Sequence, residues 1–121
     1  SWKILVVMRG NEPYKGYWSL PGGNLLEGES ILEGAKRELK EETGLVLPTL
    51  QGPFASRDVS ELLTIQVCAG VCESRPAILA NDDAQRALFV PLKRLSQLDT
   101  TPGLAEIVHR VAPHVLPASY G

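Results

Sequence analysis

Glu38, Glu41 and Glu42 crowd one short stretch of this chain, with Arg37 beside them and the pair Gly22-Gly23 a little upstream. On a helix, Glu38 and Glu42 stand at i and i+4, and Glu41 lies further round on the same side. Like charges at these spacings repel by roughly a few tenths of a kcal/mol each. Partial burial makes ionised carboxylates costlier still. A bound divalent cation reverses the sign of that cost. Hard oxygen donors suit Mg²⁺, which is commonly held by a few carboxylates together with waters and substrate phosphates. Mn²⁺ is accepted by the same oxygens, and the lack of neighbouring sulfur or imidazole makes zinc a poor fit. Gly22-Gly23 would make a simple turn in another setting. Following Leu20-Pro21, the pair also suits a backbone-lined phosphate site.

The element that must position these groups is a helix over about Ile31–Thr43. Ser30 followed by Glu33 forms a capping box, and Gly44 supplies the stop. Ile31, Leu32, Ala35 and Leu39 fall on one face and predict the buried stripe, with Glu38 and Glu42 at its margin. Gly34 costs about 1 kcal/mol against alanine inside a helix, so it reflects either close packing or tolerance. Taken alone, Arg37 would be an ordinary surface residue paired with Glu33 or Glu41 at i±4.

Around that helix, Lys3–Arg9 reads as a buried strand and Gly10–Gly16 as a polar turn with Pro13. Tyr17–Leu20 is a short extended piece. Leu45–Leu50 resembles a strand that Pro48 places at an edge or bulge. A loop through Ser60 should follow, then the longest strand over Leu62–Glu73, a loop over Ser74–Asp83 and a strand over Arg86–Val90. Leu92–Leu95 reads as a short helical turn. Pro102–Val111 reads as a last helix capped by Thr101, with Leu104, Ile107, Val108 and Val111 at helical spacing. Strands packed between two helices imply an α/β fold, an α/β/α sandwich with a mixed β-sheet.

Gly23, five residues, Glu29, seven residues, Arg37-Glu38-Leu39, any residue, Glu41-Glu42, any residue, Gly44-Leu45: this resembles the Nudix box in every position. At ordinary composition, the seven fixed Gly, Glu and Arg positions would coincide by chance about once in 10⁸ to 10⁹ starts. The lead-in Gly16-Tyr17-Trp18-Ser19-Leu20-Pro21-Gly22 extends the resemblance, and Ala87–Leu92 with Leu95 resembles a later strand and short helix of such domains. The resemblance implies one Nudix hydrolase domain over residues 1–121 and the same sandwich. Family members usually carry a strand ahead of the one that here begins at Trp2, so a domain without its N-terminal strand is the expectation.

The implied chemistry is metal-dependent hydrolysis of a diphosphate linkage. By resemblance, Glu38, Glu41 and Glu42 hold the metal, with the carbonyl of Gly22 or Gly23 a further ligand. Glu29 and Arg37 form a pair locking the loop on the helix, or Glu29 helps orient the water. The general base is Glu41 or an acid outside the box, among Glu73, Asp82 and Asp83. Tyr14, Tyr17, Trp18 and Phe54 could offer a stacking face to a base, although aromatics beside a sheet are more often core. Arg9, Lys15 and Arg57 could touch phosphate or stay solvated. Arg9, Tyr17, Trp18 and Arg57 are the expected substrate contacts.

Relatives with similar lead-in segments include both ADP-ribose pyrophosphatases and MutT-type enzymes. ADP-ribose or a related nucleoside diphosphate derivative is the expected substrate. The alternatives are nucleoside triphosphates, including oxidised dGTP, and a module that senses a nucleotide without cleaving it. A sensor would be favoured by a broken box, and this one is unbroken. A homodimer remains open.

Composition agrees with a globular domain: 121 residues, 44% hydrophobic and 21% charged. A net charge of −2 and a pI near 5.7 provide no broad basic surface for nucleic acid. No apolar run approaches a membrane span, and no signal segment opens the chain, so cytoplasm is the default location. Cys68 and Cys72 lie too far apart on an extended chain to bridge easily, and reduced thiols are expected. The two histidines, His109 and His114, are expected at the surface or in satisfied core positions.

Overall fold

Val6 and Val7 are adjacent, yet only 0% and 3% of their surfaces are exposed. Successive residues of a strand point to opposite faces, so their strand, β1 (Lys3–Arg9), is covered on both sides. The computed structural model describes residues 2–72, 78 and 84–118. In it β1 is the centre of a three-stranded antiparallel sheet. One edge pairs with β2 (Trp18–Ser19) through Val7↔Ser19 and Met8↔Trp18. The other pairs with β5 (Ala84–Pro91), from Lys3↔Pro91 to Arg9↔Ala84, with a register shift between Met8 and Arg9.

A second sheet is the antiparallel hairpin of β3 (Gln51–Ser60) and β4 (Leu63–Ala69). Helix α1 (Ile31–Thr43) packs on both of its strands, and α2 (Leu104–Val111) packs on β3. The core gathers Val6, Trp18, Val90, Leu95, Leu104 and Val108. It therefore joins the three-stranded sheet to α2 and to the 3₁₀ turn over Leu92–Gln97. The α/β architecture is the one expected. Its mixed character is confined, among the described residues, to an isolated parallel bridge between Trp18 and Thr100, since the named ladders are antiparallel.

Several expectations are corrected. Leu45–Leu50 is not a strand; Leu45 is buried, Leu47 and the Leu50 backbone lie against Gly70, and Val46 is exposed. Gln51–Ser60, read as a loop, is the ten-residue strand β3. Its extended form is imposed by pairing with β4, which local turn propensity does not report. The last helix starts at Leu104, with Gly103 in the left-handed region (φ 76°) as its cap. Thr101 does not cap it: the helix start has no side-chain cap hydrogen bond, and the Thr101 N–H is donated to the Trp18 carbonyl at 2.9 Å. The expected loop over Ser74–Asp83 lies almost wholly outside the described residues. No helix among the described residues is long and apolar enough to cross a membrane.

Candidate active site

Both ends of α1 are set by local chemistry. Ser30 Oγ accepts the Glu33 N–H at 3.1 Å, and a Glu33 carboxylate oxygen accepts the Ser30 N–H at 2.9 Å. The bond from the Ser30 backbone is the main reason the Glu33 carboxyl is held below its usual range. At the other end Gly44 takes the left-handed conformation, φ 74°, and donates to Lys40 O at 2.8 Å. Thr43, wholly buried, donates from Oγ1 to Leu39 O at 2.6 Å and accepts the Leu45 N–H at 3.3 Å. The predicted stripe differs in detail. Ile31, Leu32, Ala35 and Leu39 are half-buried, and the buried positions of α1 are Gly34, Glu42 and Thr43.

Arg37 is the hub of the acidic cluster. Its Nε and Nη2 donate to the two oxygens of Glu29 at 2.7 and 3.0 Å, a bidentate pair. Nη1 donates to Glu38 Oε1 at 2.7 Å and to Glu41 Oε2 at 3.0 Å. Nη2 also donates to the Asn24 carbonyl at 2.9 Å, while Glu29 Oε1 accepts the Leu26 N–H at 2.9 Å. The loop over residues 24–29 is thereby tied to the helix at both the carboxylate and the backbone. The Arg37 bond, then the Leu26 N–H, hold the Glu29 carboxyl below its usual range, and Glu29 followed by Glu38 raise the Arg37 pKa further. Glu33, one of the two surface partners considered for Arg37, is engaged with the helix cap instead. Asn24 was missed by sequence reasoning; the contact uses a carbonyl that any residue would offer, so no side-chain signal marks it.

Gly34 is explained by close packing. A Cβ there would collide with Leu25 Cδ2 and meet Glu29 Oε1 at 3.1 Å. Gly22 and Gly23 meet the carboxylates directly. The Gly22 N–H donates to Glu42 Oε2 at 2.7 Å, and Glu42 is 9% exposed. A Cβ on Gly23 would lie 2.7 Å from all three atoms of the Glu38 carboxylate group. The bare Gly23 backbone thus forms a cradle that a side chain would fill.

The structure brings Gly22, Gly23, Glu29, Arg37, Glu38, Glu41 and Glu42 together. Their donors are hard oxygens, which fit a Mg²⁺-type ion. Among the described residues no three acidic, histidine or cysteine side chains converge as a ready metal cage. Arg37 holds Glu38 and Glu41, while Gly22 holds Glu42. Glu73, Asp82 and Asp83 lie outside the described residues.

The expected substrate contacts separate. Trp18 is a core residue, 9% exposed, with its partner position Met8 packed on the same cluster. Its stacking partner is the Arg86 guanidinium, 5.7 Å from the ring centroid. Arg57, on β3, donates to Pro102 O at 2.7 Å and covers Gly103, so its guanidinium clamps the start of α2. Phe54 stacks on His114 at 4.7 Å. Arg9 and Tyr17 are cross-strand neighbours, joined by the bond from Arg9 N–H to the Tyr17 carbonyl at 2.9 Å. Period-two alternation puts them with Val7 and Ser19 on the sheet face opposite the Trp18 core. Cys68 and Cys72 are free thiols, and burial raises the Cys68 pKa.

Comparison with known proteins agrees with this geometry. The chain matches the NUDIX domain over residues 2–111. It is 37% identical over 105 residues to an ADP-ribose pyrophosphatase of Methanocaldococcus jannaschii, covering 79% of this chain and 59% of that protein. It is 41% identical over 51 residues to the ADPR responsive transcriptional repressor NtrR of Acinetobacter baylyi, covering 40% of this chain and 20% of that protein. The chain thus spans about three fifths of the first relative's length and one fifth of the second's. The NUDIX domain of Shewanella oneidensis NrtR, complexed with ADP ribose, shares the fold with a TM-score of 0.80 at 22% identity, over 93% of this chain and 77% of that one. A bifunctional NMN adenylyltransferase/ADP ribose pyrophosphatase of Francisella tularensis, complexed with AMP and a Mn ion, gives a TM-score of 0.76 at 25% identity, over 93% of this chain and 38% of that one. With the family match running along nearly the whole described chain and the unbroken box folded onto one capped helix, the protein belongs to the Nudix family.

Proposed function

We propose that this protein hydrolyses the diphosphate of ADP-ribose or a closely related nucleoside diphosphate derivative, using a divalent cation. The observation that carries this reading is the acidic cluster under the Gly22-Gly23 backbone, with Glu42 held by the Gly22 N–H and Glu38 against Gly23. Identity to an ADP-ribose pyrophosphatase supports the choice of substrate.

Glu38, Glu41 and Glu42 are the residues to hold the ion, with a carbonyl of Gly22 or Gly23 beside them. When bound, Mg²⁺ or Mn²⁺ supplies positive charge against that developing on the phosphate oxygens and acidifies the attacking water. The protein's own work is positioning, which dominates phosphoryl-transfer catalysis. Arg37 keeps Glu38 and Glu41 aligned, and Glu29 fixes Arg37 from the loop side. Glu41 is the most exposed of the three, 46% at its side chain, and is tethered to Arg37 by one bond. It takes the proton of the water as the new P–O bond forms and the anhydride P–O bond breaks. From ADP-ribose the products are AMP and ribose 5-phosphate.

The test is a hydrolysis screen with Mg²⁺ or Mn²⁺ over ADP-ribose, NADH, dinucleoside polyphosphates, canonical nucleoside triphosphates and oxidised dGTP. ADP-ribose should be preferred, and Glu42→Gln should abolish turnover while the protein stays folded, because the amide oxygen still accepts from Gly22. Equal weak rates on all substrates would sink the preference. Saturable binding with no turnover would support a nucleotide sensor.

A further inference from the structure

Among the described residues other than glycine, Tyr14 has a left-handed backbone, φ 63°. A bulky residue pays a steric cost there, and such outliers cluster where the structure must present a side chain. The loop joining β1 to β2 is hydrogen-bonded throughout. Gly16 N–H donates to Arg9 O at 2.9 Å, Tyr17 N–H to Tyr14 O at 3.0 Å, Arg9 Nε to Pro13 O at 2.7 Å and Lys15 N–H to Glu12 Oε1 at 2.9 Å. All this order leaves two aromatic rings in solvent. Tyr14 and Tyr17 are 46% and 43% exposed and meet edge to face, with centroids 5.8 Å apart and planes at 75°. A buried pair would be ordinary core, but this one is set by a hydrogen-bonded loop without being buried. Near-perpendicular rings make a corner, one wall offering a face to a flat molecule and the other bounding its edge.

The corner's position is restricted by the chain. Tyr17 is five residues from Gly22, hence within about 18 Å of the backbone that holds Glu42 even on a fully extended path. It shares with Arg9 the face turned away from the α2 core. The Arg9 side chain is tied to the same loop by its bond to Pro13 O at 2.7 Å.

We infer that Tyr14 and Tyr17 form the platform on which the nucleobase of the substrate stacks. This rests on the hydrolysis of a nucleoside diphosphate derivative proposed above, and it assigns recognition of the base to the β1–β2 loop and not to Trp18, Phe54 or Arg57. Aromatic walls suit a nucleobase, because every base has a π face and aromatic side chains have few torsions to lose on binding.

The experiment measures AMP and ribose 5-phosphate binding by calorimetry, alongside ADP-ribose kinetics, in the wild type and in Tyr14→Ala, Tyr17→Ala, Tyr17→Phe and Tyr14→Gly. Each alanine variant should weaken AMP by about 5- to 150-fold, the range of one base–aromatic stack. KM for ADP-ribose should rise in parallel, with kcat within about twofold, and ribose 5-phosphate binding should be unchanged. Tyr17→Phe keeps the ring and should behave as wild type. Tyr14→Gly relieves the left-handed backbone, so it should melt at or above the wild-type temperature and still lose AMP affinity. A Tyr14 needed only for folding would do the reverse. Wild-type AMP affinity in both alanine variants, or equal loss of ribose 5-phosphate, overturns the platform while leaving the hydrolysis reading standing. If the wild type turns over no nucleotide, AMP binding still decides, and an absence of binding overturns the platform.

Discussion

Adding one methyl group at Gly23 should disable the protein, whereas adding one at Gly22 should not. Neither glycine is in the left-handed region, so alanine brings no backbone strain at either position. At Gly22 the new Cβ would point into open space, and the N–H that holds Glu42 would remain. At Gly23 it would stand 2.7 Å from the Glu38 carboxylate. Reaching the 3.4 Å at which ordinary contact begins requires a displacement of about 0.7 Å. The carboxylate cannot yield freely, because Arg37 Nη1 holds it at 2.7 Å and only 17% of its side-chain surface is exposed. Catalytic groups tolerate about 0.5 Å, and a misplacement near 1 Å can cost about 10²-fold. We therefore expect Gly23→Ala to lose about 10²-fold in kcat/KM for ADP-ribose, about 2.7 kcal/mol of transition-state stabilisation at 1.36 kcal/mol per decade. Gly22→Ala should stay within about twofold. Steady-state hydrolysis would be paired with calorimetric titration of Mn²⁺, which should bind more weakly to the Gly23 variant, and with thermal melting to confirm folding. Equal losses in the two variants, or full activity in Gly23→Ala, would refute the argument that the bare backbone seats Glu38.

Acid should loosen the protein through the lowered carboxyls of Glu29 and Glu33. Groups whose folded pKa lies below the ordinary value of 4.5 stabilise the fold above that value and lose the contribution as pH falls through the folded pKa. Melting temperature should therefore drop below pH 4.5, and Glu29→Gln should flatten that limb; an unchanged acid limb in the variant would contradict this. Gly44→Ala places a Cβ on a left-handed residue and should cost about 1 kcal/mol in urea denaturation, with the denaturant slope unchanged. Trp18→Ala opens a core cavity and should cost about 3–5 kcal/mol, so a variant that melts like wild type but binds AMP poorly would return Trp18 to the ligand.

Legibility in the sequence followed the range of the interactions. The helix over Ile31–Thr43, its capping box and its glycine stop are made by groups within four residues of each other, and they stood as read. The carboxylate spacing is likewise a property of one helix. Arg37's partners were only partly legible: Glu41 stands at helical spacing and Glu29 was implied by the motif, whereas the Glu38 bond was not read and the Asn24 carbonyl arrives by way of the loop. Gln51–Ser60 was misread because its strand is made by a partner strand, against the local pull of Gly52 and Pro53. Tyr17 and Trp18 were both named as ligand contacts, although successive residues of extended chain face opposite ways and Tyr17 directly precedes β2. The alternation was present in the sequence; which of the two faces was the core depended on Val90, Leu95, Leu104 and Val108, far along the chain.

The two-residue strand β2 has a consequence for the order in which the protein can be built. It is not an edge: one side pairs with β1, and on the other Trp18 donates to Asp99 O at 2.8 Å and accepts from Thr101 N–H at 2.9 Å. The segment leading into Gly22 therefore acquires its second flank only after residue 101 has been made, some sixty residues after the helix that carries the glutamates. During synthesis that helix can form early, since its caps are local. The glycine backbone that addresses Glu42 therefore depends, through β2, on contacts from the C-terminal part of the domain, far along the chain from the helix it faces.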